Sequence, residues 1–130
     1  MKGLSHFFLP VFVWLSLASF SSVARAEVRL LMLDSQGCAY CEAWTAEVGD
    51  AYHKTSEGRI APLLRQNIRD DLPQGVALKS AAVFTPTFIL LDNGVEIGRI
   101  TGYPGEDFFW WMLENMLDEL PELETEAEGS

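Results

Sequence analysis

The chain has 130 residues, and the 104 that follow its first 26 are enough for one compact domain and too few for two. Its 19 acidic side chains outnumber its 9 basic ones, and the formal net charge is −10. This balance makes nucleic acid and anionic membrane surfaces poor partners, because both carry negative charge themselves. We therefore expect no nucleic-acid partner, and we expect the chain to be a monomer.

The first 26 residues have the features of a secretory signal peptide. Lys2 makes the start positive, residues 4–20 are mostly apolar, and Ala24-Arg-Ala26 has the small-x-small pattern of a cleavage site. An uncleaved membrane anchor is the alternative, but residues 4–20 are near the lower length limit for a spanning helix. Cleavage after Ala26 would leave 104 residues, and the net charge would become −12 because the removed segment contains two basic residues and no acid.

The first elements after this segment are a strand, a turn and a helix. Residues 28–33 form a short apolar run suited to a buried strand, and Asp34-Ser-Gln-Gly37 has the composition of a turn. The two cysteines of the chain follow at the start of a segment with helical spacing of its apolar side chains. These side chains are Cys41, Trp44, Val48 and Tyr52.

The spacing of Cys38 and Cys41 predicts a reversible dithiol–disulfide site. Two intervening residues on the first turn of a helix bring both sulfurs within bonding reach. The helix N-terminus favours a thiolate at Cys38, because its free N–H groups and the helix dipole stabilise negative charge. A thiolate is the form that attacks another disulfide. Export places the pair where disulfides persist, which in a bacterium means the periplasm.

Three other roles for the cysteines are less well supported. A zinc site needs about four N or S ligands, whereas the chain has two cysteines and two histidines, and His6 lies in the expected signal peptide. A static disulfide would close a very short loop and would stabilise the fold little. Buried inert thiols are not expected at a helix start preceded by Gly37. We therefore expect no metal.

The middle of the chain predicts a strand and a weaker helix. Residues 60–68 are predicted to form the strand, and Pro62 confines its start to an edge of the sheet or to the entry of the strand. Residues 74–83 have apolar side chains at partly helical spacing, which favours a helix.

A hairpin and a final helix complete the predicted domain. Residues 87–91 and 95–97 flank Asn93-Gly94, a strong hairpin signal, and Gly98 marks a bulge in the second arm. Residues 106–120 have acids in the first turn and one apolar face, as a helix requires. In residues 121–130, a proline is followed by a glutamate at every second position. This pattern predicts a disordered acidic tail.

The order β-α-β-α-β-β-α, with the cysteine pair at the start of the first helix, resembles the thioredoxin fold, an α/β sandwich with a central mixed sheet. The resemblance predicts a thioredoxin-like domain at residues 27–120. A second mark is Thr85-Pro86-Thr87 before the third strand, where thioredoxin-like proteins have a cis-proline facing the cysteines. In that family the residue before the cis-proline offers its backbone to an extended segment of the substrate. The resemblance implies substrate binding at Thr85 and Pro86.

Several stretches are similar to one subgroup, the SoxS-type periplasmic thioredoxins encoded with bacterial sulfur-oxidation systems. Members of that group keep the thiosulfate-oxidising complex active by reducing the cysteine of its carrier protein. The resemblance implies a protein thiol or disulfide client of this kind, and a membrane protein as electron donor. The similar stretches are residues 37–41 with Trp44, 57–63, 85–88, 98–105 and 108–110.

The chain also departs from cytoplasmic thioredoxins. Met32 stands where those proteins have a buried Asp that accepts a proton from the second cysteine. Asp34, Glu42 and water are the remaining candidates for that role. Exposed aromatic side chains near the site, Tyr40 and Tyr103, would provide apolar contact to the client.

The sequence therefore predicts a thiol–disulfide oxidoreductase with Cys38 and Cys41 as its catalytic residues. It has no flavin or nicotinamide signature, so no cofactor is expected and the electrons must come from another protein. A reducing role is favoured, because no strong thiolate-stabilising residue lies between the cysteines. The same fold also supports an oxidant that installs disulfides, or a binding module without catalysis.

Overall fold

The computed structural model describes Gly3 and residues 27–121. Apart from Gly3 and Pro121, the expected signal peptide at 1–26 and the expected tail at 121–130 lie outside the described residues. Over residues 27–121, no helix combines the length and the apolar character needed to cross a membrane.

A four-stranded mixed sheet forms the centre of the described domain, in the order β2-β1-β3-β4. Strand β1 pairs parallel with β2 and antiparallel with β3, and β3 pairs antiparallel with β4. The edge position predicted for the second strand is confirmed, and Pro62 directly precedes it. The strands are β1 (Val28–Asp34), β2 (Leu63–Asn67), β3 (Thr87–Asp92) and β4 (Val95–Thr101).

The helical path that begins at the cysteines continues to Tyr52, as predicted. It consists of α1 (Ala39–Trp44), a π-helical segment (Thr45–Gly49) and α2 (Asp50–Tyr52). A short helix, α3 (Ser56–Ile60), then precedes β2 and ends at the first residue of the stretch predicted as the second strand. The last helix, α4 (Glu106–Asp118), matches its prediction closely.

Each face of the sheet has its own apolar core. The larger core joins the sheet to the helices, and aromatic rings from α1, β3 and α4 meet in it at centroid distances of 4.9 to 5.7 Å. The smaller core lies on the opposite face. Its buried members are Leu31, Leu33, Ile89 and Leu91, and the partly buried Leu64, Ile68, Val76, Leu78 and Ala82 pack against them.

The prediction of a helix at residues 74–83 was wrong. The main chain of this segment pairs with β4 instead, because Ala77 donates to the Gly94 carbonyl at 2.8 Å and accepts from Glu96 N at 3.2 Å. Glu96 also accepts a hydrogen bond from Lys79 N through its carboxylate, at 2.7 Å. These hydrogen bonds satisfy main-chain N–H and C=O groups that would otherwise be paired within a helix. The apolar side chains of the segment still cover the smaller core.

The hairpin and the bulge are both confirmed. Asn93 and Gly94 have positive φ angles of 49° and 80°, as a tight two-residue hairpin turn requires. The register changes between Leu90, which faces Gly98, and Leu91, which faces Glu96. Ile97 is therefore the extra residue, and it packs against the larger core.

Candidate functional site

The two cysteines lie where β1 ends and α1 begins, and they form a disulfide with a Cα–Cα distance of 5.2 Å. Cys38 is the N-cap of α1, and its Sγ accepts a hydrogen bond from Cys41 N at 3.1 Å. The turn before it contains Gly37 with a φ of 75°, a conformation that favours glycine. Cys38 N closes this turn by donating to the Ser35 carbonyl at 3.3 Å.

The surroundings of the two sulfurs differ. Cys38 is half-buried at the helix N-terminus, whereas Cys41 is 2% exposed and belongs to the larger core. An incoming disulfide therefore reaches Cys38 more easily than Cys41. The helix N-terminus also stabilises a negative charge on Cys38.

Three loops meet at this end of the sheet. Because β1 and β3 are antiparallel neighbours, the residues after β1 and the residues before β3 lie at the same end. The Thr85–Pro86 peptide bond is cis, and the Thr85 hydroxyl is 2.9 Å from that of Ser35 in the cysteine turn. The loop after β4 joins them, because Gly102 N donates to the Pro86 carbonyl at 2.7 Å. The structure thus brings the cysteines, Thr85 and Pro86 together.

Apolar side chains are exposed around these loops. Tyr40, between the cysteines, is 65% exposed, as the sequence led us to expect. Val83 and Phe84 are also exposed and come directly before Thr85 in the chain. The sequence interpretation missed both, although two apolar residues directly before the Thr-Pro pair predicted to bind substrate were a usable signal.

Tyr103 was expected to be an exposed aromatic contact for the client, and the structure differs from this expectation. It is half-buried, and its hydroxyl donates to the Glu47 carboxylate. Burial, together with this hydrogen bond, raises the pKa of Tyr103. Its hydroxyl therefore stays protonated and occupied, and its ring lies 6.3 Å from that of Phe109, centroid to centroid.

Apolar side chains surround Cys41. Met32 is fully buried and shares the larger core with Cys41, as do Trp44 and Phe88. Among the described residues, the buried polar or charged side chains are Thr87 and Glu96. The Glu96 carboxylate accepts hydrogen bonds from Arg99 and from Lys79 N. The position of the acid in cytoplasmic thioredoxins is thus apolar here.

Neither acidic candidate for the proton acceptor of Cys41 lies in the apolar core around that cysteine. Asp34 accepts a hydrogen bond from Arg65 Nε at 2.5 Å, and Glu42 is exposed to solvent. Arg65 also donates to the Thr45 hydroxyl at 2.9 Å, and that hydroxyl donates to the Cys41 carbonyl at 2.8 Å. This chain of bonds anchors the cysteine helix to β1 and β2, and no sequence motif indicated it.

Side chains that could ligate a metal do not cluster in the part of the chain from residue 27 to residue 121. No group of three or more His, Cys, Asp or Glu side chains is placed there to hold a metal ion.

Comparison with known proteins gives one informative match. No protein-family model matches the chain, and no curated protein matches it significantly. The chain is 51% identical to the periplasmic thioredoxin SoxS from Paracoccus pantotrophus, whose crystal structure shows the reduced form. The two structures superpose with a TM-score of 0.69, and the match covers 71% of this chain and 97% of that one.

This identity, over nearly the full length of the relative, agrees with the mixed four-stranded sheet and with the cysteine pair at the start of α1. The predicted α/β thioredoxin-like fold is confirmed. The chain belongs to the thioredoxin-like family and, within it, to the SoxS-type periplasmic thioredoxins.

Proposed function

We propose that this protein is a periplasmic thiol–disulfide oxidoreductase that reduces a disulfide or a cysteine adduct of a protein client. The observation that carries the proposal is the Cys38–Cys41 disulfide at a helix N-terminus, with a half-buried first sulfur and a buried second one. The 51% identity to a periplasmic thioredoxin supports both the redox chemistry and the location. Cleavage of residues 1–26 as a signal peptide is part of the same proposal.

The reaction uses the two cysteines in sequence. In the reduced protein, the Cys38 thiolate attacks one sulfur of a client disulfide, and the other client sulfur leaves as a thiolate that takes up a proton. Cys41 then loses its proton and attacks Cys38, which releases the second client thiol and forms the Cys38–Cys41 disulfide. Two electrons pass to the client in this exchange, and a protein donor must return two electrons to the pair.

The client binds beside the sulfurs as an extended segment. Thr85 lies in the loop before β3, directly before Pro86, where its main chain can pair with such a segment. Tyr40, Val83 and Phe84 surround this position with exposed apolar surface. Contact with these three side chains supplies affinity, because association removes their apolar area from water.

The client that we propose is a carrier protein of a bacterial sulfur-oxidation system, with a membrane protein as the source of electrons. The support for this client is the identity to a SoxS thioredoxin. The acidic charge of the chain fits a protein partner better than a nucleic acid. We further propose that the protein acts as a monomer and needs no cofactor of its own.

Single-cysteine variants test this proposal. With Cys41→Ser, the client should remain attached to Cys38 as a mixed disulfide that dithiothreitol releases, because the resolving thiol is missing. With Cys38→Ser, trapping and disulfide reduction should both be lost. Mass spectrometry of the material trapped from a periplasmic extract would identify the client.

Two outcomes would contradict the proposal. Equal trapping by both variants would show that the two cysteines do not divide the roles as proposed. Full biological activity of Cys38→Ser would indicate a binding module that uses the fold only as a scaffold.

A further inference from the structure

The pairing of β1 with β3 ends close to the cysteines, and side chains continue it. The last main-chain pair of the ladder is Leu33 with Thr87. Pro86 directly precedes β3 and has no N–H group to donate, so the backbone ladder cannot extend through it. Two residues beyond the last pair, the same register places Ser35 opposite Thr85. Their hydroxyl oxygens are 2.9 Å apart, within hydrogen-bond distance, in a partly buried position.

Ser35 also contacts the main chain of the attacking cysteine. Its carbonyl accepts the hydrogen bond from Cys38 N at 3.3 Å, in the turn that leads into α1. One residue therefore bonds to Cys38 through its main chain and to Thr85 through its side chain. Among the described residues, Ser35 is the direct hydrogen-bond link between the cysteine turn and the loop before β3.

The hydrogen bond to Ser35 uses the side chain of Thr85 and leaves its main chain available for hydrogen bonds to a client. Within residues 27–121, neither the N–H nor the C=O of Thr85 makes a hydrogen bond, while its hydroxyl is turned toward Ser35. Main-chain polar groups strongly require partners when water is excluded from them. An extended client segment provides such partners when it pairs with Thr85 as an added strand.

We infer that Ser35 is a positioning residue for disulfide exchange, which holds the client-binding main chain of Thr85 in register with the Cys38 sulfur. This inference rests on the proposed function, and it adds a residue that no motif in the sequence marks. Ser35 does not touch the reacting sulfurs. It acts through Thr85, so its loss affects extended polypeptide clients and spares small disulfides that do not need the Thr85 main chain.

The test compares two substrates of the full mature protein. Insulin supplies disulfides within a polypeptide, and 5,5′-dithiobis(2-nitrobenzoate) supplies a small disulfide. For Ser35→Ala we expect the KM for insulin to rise about three- to tenfold, the usual effect of losing one hydrogen bond. The kcat for insulin and the rate with the small disulfide should stay within about twofold of the wild-type values, because the cysteine pair itself is unchanged.

Three further variants control the test. Thr85→Val removes the same bond from the other side and should raise KM similarly, and the double variant should be no worse than either single one. Ser35→Thr keeps the hydroxyl and should restore the wild-type KM. Ser56→Ala is the matched control, because Ser56 is exposed on α3 and its hydroxyl bonds only to the neighbouring Glu57 among the described residues. Thr85→Val also provides the measurement if Ser35→Ala does not fold.

Several results would overturn the inference. An unchanged KM in Ser35→Ala, or losses that multiply in the double variant, would show that the hydroxyl pair does not position the client. Equal losses on insulin and on the small disulfide would assign Ser35 to the stability of the turn alone. Failure of the wild-type protein to reduce either substrate would instead defeat the proposed function, and this inference with it.

Discussion

Cys38 and Cys41 are three positions apart, yet their surroundings suit two different tasks. Cys38 is half-buried at the start of α1, and Cys41 lies in the apolar core with Met32 and Trp44. In apolar surroundings a neutral thiol is favoured over a thiolate, so Cys41 stays protonated and unreactive until a mixed disulfide forms at Cys38. With the apolar Met32 at this position, no buried acid lies beside Cys41, and Asp34, Glu42 and water remain the candidates for its proton acceptor.

The exposed aromatic residue before Thr85 should matter for client affinity. Phe84 is 64% exposed beside the site, and Phe108 is 63% exposed on α4. Phe84→Ser should raise the KM for a protein disulfide about threefold to thirtyfold, since it removes most of one side chain's apolar contact. Phe108→Ser is the matched control and should leave KM unchanged. Equal effects of the two substitutions on KM would contradict the proposed client surface.

Prediction from sequence succeeded at the residues that belong to a local pattern. The spacing of Cys38 and Cys41 is visible in four consecutive residues, and Pro86 lies in a short family motif. Ser35 and Arg65 were missed, because their partners lie 50 and 31 positions away in the chain. Such contacts depend on strand register, which the sequence does not state directly.

At the level of elements, a buried carboxylate holds β4 to the segment that precedes the site. Glu96 is 3% exposed and accepts hydrogen bonds from Arg99 Nε and Nη2 at 2.6 and 2.7 Å. Arg99 also donates to the Ser80 carbonyl at 2.8 Å. The hydrogen bonds from Arg99 hold the pKa of Glu96 below its ordinary value, although burial alone would raise it.

This lowered pKa has a defined consequence for stability. Folding favours the ionised form of Glu96, so its contribution is complete above the ordinary pKa of about 4.3 and is lost as the pH falls through the lowered folded value. Glu96→Gln should cost about 1 to 3 kcal/mol at pH 7, and this difference should shrink toward zero in strong acid. Urea unfolding across pH 7 to pH 2 would measure it. Glu114→Gln, an exposed change on α4, should stay within about 0.5 kcal/mol, and a pH-independent Glu96→Gln deficit would contradict the account.

Two glycines should respond differently to the same added methyl group. A Cβ on Gly58 would overlap the Tyr52 carbonyl oxygen, which is part of the backbone, whereas a Cβ on Gly98 would lie 2.9 Å from the flexible Met116 side chain. We expect Gly58→Ala to cost at least about 3 kcal/mol and Gly98→Ala about 1 kcal/mol in the free energy of unfolding. Denaturant unfolding of both variants checks this order, and a reversed order would show that α3 is not packed against Tyr52 as described.

Elements were predictable where local signals were strong. The Asn93-Gly94 turn, the bulge at Gly98 and α4 all follow from short-range patterns. The segment at 74–83 was misread as a helix because its pairing with β4 is a non-local interaction. The apolar side chains of this segment cover the sheet in either conformation, so their spacing alone could not decide between them.

At the scale of the whole molecule, the buried residues of the two cores and the four strands all lie between residues 28 and 120. Ending the chain after Pro121 removes Glu122, Glu124, Glu126 and Glu128. We predict that the free energy of unfolding changes by less than about 1 kcal/mol, and that activity on small disulfides stays the same. Thermal unfolding of the shortened chain tests this prediction. A larger loss would show that these residues pack on the domain.

The proposed reducing role depends on the redox potential of the Cys38–Cys41 pair. The helix N-terminus stabilises the Cys38 thiolate, whereas Glu42 and the negative net charge of the chain, −12 after the proposed cleavage, oppose it. Equilibrium of the mature protein with glutathione redox buffers measures this potential directly. We predict a value near that of thioredoxin, about −270 mV. A value above about −150 mV would contradict the reducing role and would indicate an oxidant that installs disulfides.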